Sequence, residues 1–234
     1  MNIDFHKATL ITILREIYSD AVLRNSLGFK GGTAAMLFYK LPRFSVDLDF
    51  DLLDAKKKQA VFERLKELLT SFGTLREATE KRDTLFFFLS YQRDERNIKI
   101  ELSKRPTLAH YVPKSYLGIS VLVMKEEDMA AYKLCTVLTR KKFASRDLFD
   151  LWYFLKNNWH ITEEIVNKRI GLSLSDAIGK MENQVKTVKN TDLLAGLGDL
   201  LDNKQKSWVR EKLKEELLFQ LKLYSKNSGL HLTF

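Results

Sequence analysis

Between Ser45 and Leu53 the chain alternates strictly: Val46, Leu48, Phe50 and Leu52 fall on one side of an extended backbone, and Ser45, Asp47, Asp49 and Asp51 on the other. Such a segment is a strand with one face against a core and an acidic face turned away from it. Just upstream, Leu27 to Lys30 is too short an apolar stretch for a helix and runs into Gly31 and Gly32, so it reads as a brief strand entering a turn. "TAAMLFYK" then combines strong helix formers and predicts a short helix. Pro42 ends that helix, because the residue before a proline is pushed out of the helical region.

Around this segment, Leu10, Ile13, Leu14 and Ile17 predict an amphipathic helix over roughly residues 4–19. Val61, Leu65, Leu68, Leu69 and Phe72 predict another over roughly 55–72. "TLFFFLSY" and "NIKIEL" flank the charged linker "QRDER" as a hairpin, and "ISVLV" adds a further strand. From Glu126 onward only helical periodicity remains, through "EEDMAAYKLCTVLTR", "RDLFDLWYFLKN" and finally Val209, Leu213, Leu217 and Leu221. The expected fold class is α+β: a mixed sheet with packed helices over residues 1–124, followed by an all-helical bundle over 125–234.

Several chemistries are excluded. A single cysteine, Cys135, rules out an internal disulfide and a cysteine zinc cage. His6, His110, His160 and His231 lack metal-ligand spacing and read as surface or packing residues. Ser, His and Asp assemble into no nucleophile motif. No apolar run approaches the roughly 18 residues a bilayer requires, and the charged N-terminus lacks the order of a signal peptide, so the expected compartment is the cytoplasm. The excess of 39 Lys and Arg over 30 Asp and Glu, a net charge of +9, favours polyanionic partners. The basic C-terminal run "KQKSWVREKLKEELLFQLKLYSK" is a solvated helix face or an RNA dock.

A strand, two glycines and a helix present backbone N–H groups at a helix N-terminus, where the helix dipole favours an anion. Gly31 and Gly32 would let a phosphate approach and Thr33 would add a hydroxyl; the plainer reading is a tight turn capped by Thr33. Asp47 and Asp49 share one strand face, and two neighbouring carboxylates both stay ionised cheaply only with a cation between them. A hard divalent ion such as Mg²⁺ suits them, the alternative being a solvated acidic edge. Glu101, pointing away from Ile98 and Ile100, is the candidate third carboxylate or simply an exposed Glu. Arg43 is a phosphate contact or a surface arginine. Lys133 and Arg140, seven apart, share a helix face expected to point into a cleft between the domains and meet phosphates. Ser145 would cap the next helix, leaving Arg146 paired with Asp150 beside Asp147.

"GGTAAMLFYKLPRFSVDLDF" resembles the nucleotidyltransferase signature of a Gly-Gly or Gly-Ser turn followed by D-x-D. More narrowly, "RFSVDLDF" and "YKLCTVLTRKKFASRDLFDLWYFL" resemble the AbiEii/AbiGii toxin family, the nucleotidyltransferase-like half of bacterial toxin–antitoxin and abortive-infection systems. The resemblance implies a polymerase-β-like sheet and a cognate antitoxin encoded nearby. It further implies that Gly31, Gly32 and Thr33 hold a triphosphate, that Ser45 contacts phosphates or supports the metal site, and that Asp47 and Asp49 bind Mg²⁺. Lys133 becomes the triphosphate lysine, with Asp147 and Asp150 holding it or the base; the plainer alternative for this group is a structural salt-bridge network.

The expected activity is Mg²⁺-dependent transfer of a nucleotide from an NTP to an acceptor hydroxyl, an RNA such as tRNA or else a protein. A non-catalytic RNA- or protein-binding module on the same fold is the alternative, against which the acidic pair argues. A D-x-D phosphatase ranks last, since it needs no upstream glycine turn.

Overall fold

The computed structural model describes residues 2–93 and 95–228; His231 lies outside them. In chain order the elements are α1 (Ile3–Ser19), α2 (Ala21–Arg24), β1 (Leu27–Lys30), α3 (Gly31–Phe38), β2 (Leu48–Leu52), α4 (Lys58–Thr70), β3 (Thr74–Glu80), β4 (Thr84–Ser90), β5 (Ile98–Ser103), β6 (Tyr111–Tyr116) and β7 (Ile119–Met124). Then follow α5 (Glu126–Thr139), α6 (Ser145–Lys156), α7 (Glu163–Ile170), α8 (Leu174–Thr187) and α9 (Asn203–Ser228). The chain divides into two compact units, Met1–Lys125 and Glu126–Phe234. No described helix is long and apolar enough to cross a membrane.

In the first unit the described strands form one mixed sheet in the order β3-β4-β5-β2-β1-β7-β6. β2 lies at its centre, antiparallel to β1 and parallel to β5. Its side-chain alternation decides which face is which. Leu48 and Phe50 are fully buried, as are their neighbours Phe29, Ile100, Leu102 and Phe87. Helices cover this apolar face: Phe62 of α4 lies 5.1 Å from the Phe87 ring, Phe38 of α3 lies 6.2 Å from Phe29, and α1 packs beside α4. The opposite face carries Lys30, Asp49, Asp51, Glu101 and Lys99, since residues paired across strands point the same way.

The structure departs from the sequence expectations in four places. β3 and β6 were not expected: "TLREATE" has no apolar alternation and "YVPKSY" carries Pro113, yet both are edge strands, held by backbone pairing on one side only. The regular ladder of β2 begins at Leu48, three residues later than the alternation. The glycines are the first residues of α3, not a turn before it, and α3 ends at Phe38, ahead of Lys40 in left-handed conformation and before Pro42 acts. Ser145 is the first residue of α6 and does not cap it; its hydroxyl donates to the Asp192 carbonyl at 2.7 Å.

The helical unit is built around α5, α6 and α9, with Leu134, Leu151, Phe154, Met181, Leu213 and Leu217 buried between its helices. Phe154 and Trp159 stack with centroids 4.2 Å apart, and Trp152 lies 4.3 Å from Trp208. Cys135 is a buried thiol whose pKa burial pushes up, which removes it from nucleophilic chemistry.

Gly28 interrupts the apolar run of β1 for a steric reason: the Tyr111 ring passes directly over it, and a Cβ there would fall within that ring's van der Waals envelope. The Tyr111 hydroxyl donates to Asp51, whose other oxygen pairs with Lys30. Gly28→Ala should therefore lower stability by about 1–3 kcal/mol through overpacking. Comparing urea midpoints of Gly28→Ala, Tyr111→Ala and the double variant checks this: the alanine should cost much less once the ring is gone.

Candidate active site

The two glycines that open α3 lie against β2 and the segment leading into it. Gly31 has φ of +79°, a conformation side chains resist, and a Cβ placed on it would lie 2.5 Å from an Asp49 carboxylate oxygen. On Gly32 it would lie 2.7 Å from an Arg43 guanidinium nitrogen and 2.8 Å from Ser45 Oγ. Two absent side chains thus let the start of α3 reach the Asp49 carboxylate, the Arg43 guanidinium and the Ser45 hydroxyl together. No side chain caps the first turn of α3 through its N-cap, Lys30. Arg43 is not a surface arginine: it is 6% exposed and donates to the Phe44 carbonyl at 2.9 Å.

Thr33 is engaged elsewhere. Its buried hydroxyl donates to the Asp47 carbonyl, tying α3 to the start of β2. Asp47 accepts weakly from Lys99 N–H at 3.4 Å. Glu101 is directly in register with Asp49 on the adjacent parallel strand. Asp51, on the same face, is 2% exposed and bound by Lys30 and Tyr111.

Among the described residues no three of His, Cys, Asp and Glu converge into a preformed metal cluster. The donors present are hard carboxylate oxygens on neighbouring positions of one sheet face, which fits Mg²⁺: that ion takes one or two carboxylates and fills its octahedron with water and substrate phosphates. Asp47 and Asp49 are the pair such an ion would use, with Glu101 alongside.

Within the helical unit, α5 and α6 bring Lys133, Arg140, Asp147 and Asp150 together. Lys133 Nζ lies 2.8 Å from Asp147 Oδ1 and 2.9 Å from Asp150 Oδ2. Arg140 meets Asp147 Oδ2 at 2.9 Å, an ion pair without hydrogen-bond alignment. Both aspartates are buried and Lys133 nearly so. Arg146 does not pair with Asp150 as expected, because Lys133 takes that carboxylate; Arg146 is half-exposed.

Four positioning residues escaped the sequence reading or were undervalued by it: Gly28, Lys30, Tyr111 and His6. The lone Gly28 within a strand pattern was the one available signal. His6, from α1, is fully buried and lies 3.1 Å from the Val46 carbonyl through Nε2 and 2.8 Å from the Tyr91 hydroxyl through Nδ1. A carbonyl only accepts, so Nε2 carries the proton and Nδ1 accepts from Tyr91.

The family model described as nucleotidyl transferase AbiEii toxin, type IV TA system, matches residues 12–217. The chain belongs to this AbiEii family. Two solved structures share its fold. One is a candidate nucleotidyltransferase from Helicobacter pylori, 21% identical, with a TM-score of 0.64 and coverage of 99% of this chain and 98% of that one. The other is JHP933, also from Helicobacter pylori, 20% identical, with a TM-score of 0.57 and the same coverage. No curated protein matches the chain. The mixed sheet is thus the family's nucleotidyltransferase sheet, and the glycine turn and acidic strand both fall inside the matched span.

Two outcomes follow from this geometry. Burial lowers the His6 pKa below the ordinary 6.5, reinforced by Arg96 and opposed by the Val46 carbonyl, Asp47 and Glu95. Above pH 6.5 both folded and unfolded states hold a neutral imidazole and no stability depends on it. As pH falls below 6.5, the unfolded chain binds a proton that the folded chain resists, so stability drops until the folded-state pKa is reached. His6→Gln should flatten that drop in melting temperature measured from pH 7 down to pH 5. Separately, Asp150→Ala strips Lys133 of one of its two carboxylates and should destabilise the protein toward the lower end of about 3–5 kcal/mol, read from denaturant midpoints.

Proposed function

We propose that this protein is a magnesium-dependent nucleotidyltransferase that moves a nucleotide from an NTP to the 3′ hydroxyl of an RNA such as tRNA. In this reading it acts as the toxin of a pair whose cognate antitoxin is encoded nearby. The observation that carries the reading is the contact of Gly31 and Gly32 with Asp49, Arg43 and Ser45. It puts an anion-seeking helix start and a buried cation beside a carboxylate suited to a metal, the combination a metal-bound triphosphate requires.

The N–H groups at the start of α3 and the Arg43 guanidinium receive the phosphates, and the Ser45 hydroxyl donates beside them. Asp47 and Asp49 would hold Mg²⁺, which would supply Lewis-acid charge neutralisation of the phosphates. Glu101, in register with Asp49, takes the proton from the acceptor hydroxyl. The acceptor oxygen bonds to the α-phosphorus as the bond to the bridging oxygen breaks, and pyrophosphate leaves. Within the helical unit, phosphate contact is the role proposed for Lys133, held by Asp147 and Asp150, and for Arg140, with Arg146 adding to that unit's positive charge. The net charge of +9 supports a polyanionic acceptor.

Asp49→Ala should still fold and melt cooperatively, because the carboxylate sits on the polar face and not in the core. It should lower incorporation of α-labelled NTP into cellular RNA at least about 100-fold. Periodate oxidation of the RNA 3′ end should stop labelling in the wild type. Full transfer by Asp49→Ala would refute the metal assignment, and a labelled protein band with unlabelled RNA would make a protein hydroxyl the acceptor.

A further inference from the structure

Beyond Glu101 the polar face of the sheet continues onto β4, where it carries two aromatic rings in place of charges. Phe86 is in register with Glu101, and Phe88 with Lys99. The rings lie 6.4 Å apart and within 20° of parallel. Lys81 Nζ sits 3.3 Å from the Phe86 centroid. Lys99 is exposed beside Phe88, which is itself only half-buried. A buried apolar pair would be expected on the other face, where Leu85, Phe87 and Leu89 are fully covered. Phe86, 8% exposed with Lys81 over its ring, and the half-buried Phe88 instead stand on the charged face, their rings near parallel and Lys99 in register with Phe88.

We infer that Phe88, backed by Phe86, is the ring on which the 3′-terminal base of the RNA acceptor stacks. This rests on the transferase reading above and deepens it. The direction follows from in-line displacement, in which attacking and leaving groups lie on opposite sides of the α-phosphorus. The phosphate seat is on β1 and α3, to one side of Asp49; Glu101 and β4 are to the other, in the sheet order β4-β5-β2-β1. Pyrophosphate leaving toward the glycines requires the attacking hydroxyl to arrive from the β4 side. A base attached to that hydroxyl's ribose then meets the half-buried Phe88, with the exposed Lys99 in register beside it for a flanking phosphate. Aromatic rings beside basic residues are how single strands are held without regard to base identity.

The test measures fluorescence anisotropy of a labelled single-stranded RNA and of the same RNA ending in an abasic ribose, alongside calorimetry of Mg-NTP binding. Wild type should lose about 10-fold in affinity when the terminal base is removed. Phe88→Ala should bind the intact RNA about 10-fold more weakly, no longer distinguish the abasic RNA, and keep wild-type affinity for Mg-NTP. Phe88→Trp should restore the discrimination and serves as the folding control. Phe88→Ala that still distinguishes the two RNAs overturns the proposal. Weakened Mg-NTP binding with unchanged RNA binding also overturns it, and assigns the rings to the nucleotide's own base. A wild type that fails to bind Mg-NTP refutes the transferase reading itself, an outcome separate from either of these.

Discussion

The close approach of two glycines to the polar face of β2 is the constraint on which the rest of the first unit depends. β2 is a central strand with one face wholly apolar, and a slip of one residue would turn Asp49 and Asp51 into the core while exposing Phe50. Burying ionised carboxylates without partners costs several kcal/mol each, so the register has no low-energy alternative. With β2 held this way, Asp49 stands where a Cβ on Gly31 would be. The left-handed backbone at Gly31 and the contact with Asp49 therefore impose glycine for two independent reasons. Residues 45 to 47 lie outside the regular ladder and are held by other means: Ser45 beside Gly32, the Val46 carbonyl by His6, and the Asp47 carbonyl by Thr33.

This explains what could be read from the sequence. Strict alternation in 45–53 identified β2 and its polar face because one periodicity served both the core and the site. Ile98 and Ile100 placed Glu101 on the same face for the same reason, and its register with Asp49 needed only that β5 pair with β2. β3 and β6 were illegible because an edge strand takes its stability from a neighbour's backbone and places little demand on its own side chains. The partners of Thr33 and Arg146 were not legible because a hydroxyl or a guanidinium has several partners within reach of a given spacing. Only coordinates show that Thr33 meets the Asp47 carbonyl and that Lys133 already occupies Asp150.

The second unit handles its carboxylates differently. Asp147 and Asp150 are taken out of water almost completely, and Lys133 and Arg140 balance them charge for charge. A cluster of two acids and two bases is electrically neutral, so burial of the aspartates is tolerated; removing Lys133 strips both buried carboxylates of an ion pair, whereas Arg140, 35% exposed, is partly served by water. Its geometry is correspondingly stiff: Lys133, normally a flexible four-carbon chain, is held by two carboxylates from one helix. A lysine held in this way has already given up much of its rotamer entropy to the two carboxylates.

The same logic separates the carboxylates of β2. Asp49 and Asp51 share a strand, a face and a charge, yet their surroundings divide their roles. Asp51 has an ammonium from Lys30 on one oxygen and the Tyr111 hydroxyl on the other, and is 2% exposed, so its lone pairs are committed to holding β1, β2 and β6 together. Asp49 is half-buried and faces the glycine backbone, where the neighbouring side chains have been reduced to hydrogen. Gly28, Gly31 and Gly32 make this division possible: the first admits the Tyr111 ring that reaches Asp51, and the other two clear the space around Asp49, Arg43 and Ser45. Two aspartates on one strand face thereby sit in different surroundings, Asp51 between Lys30 and Tyr111 and Asp49 against the glycine backbone.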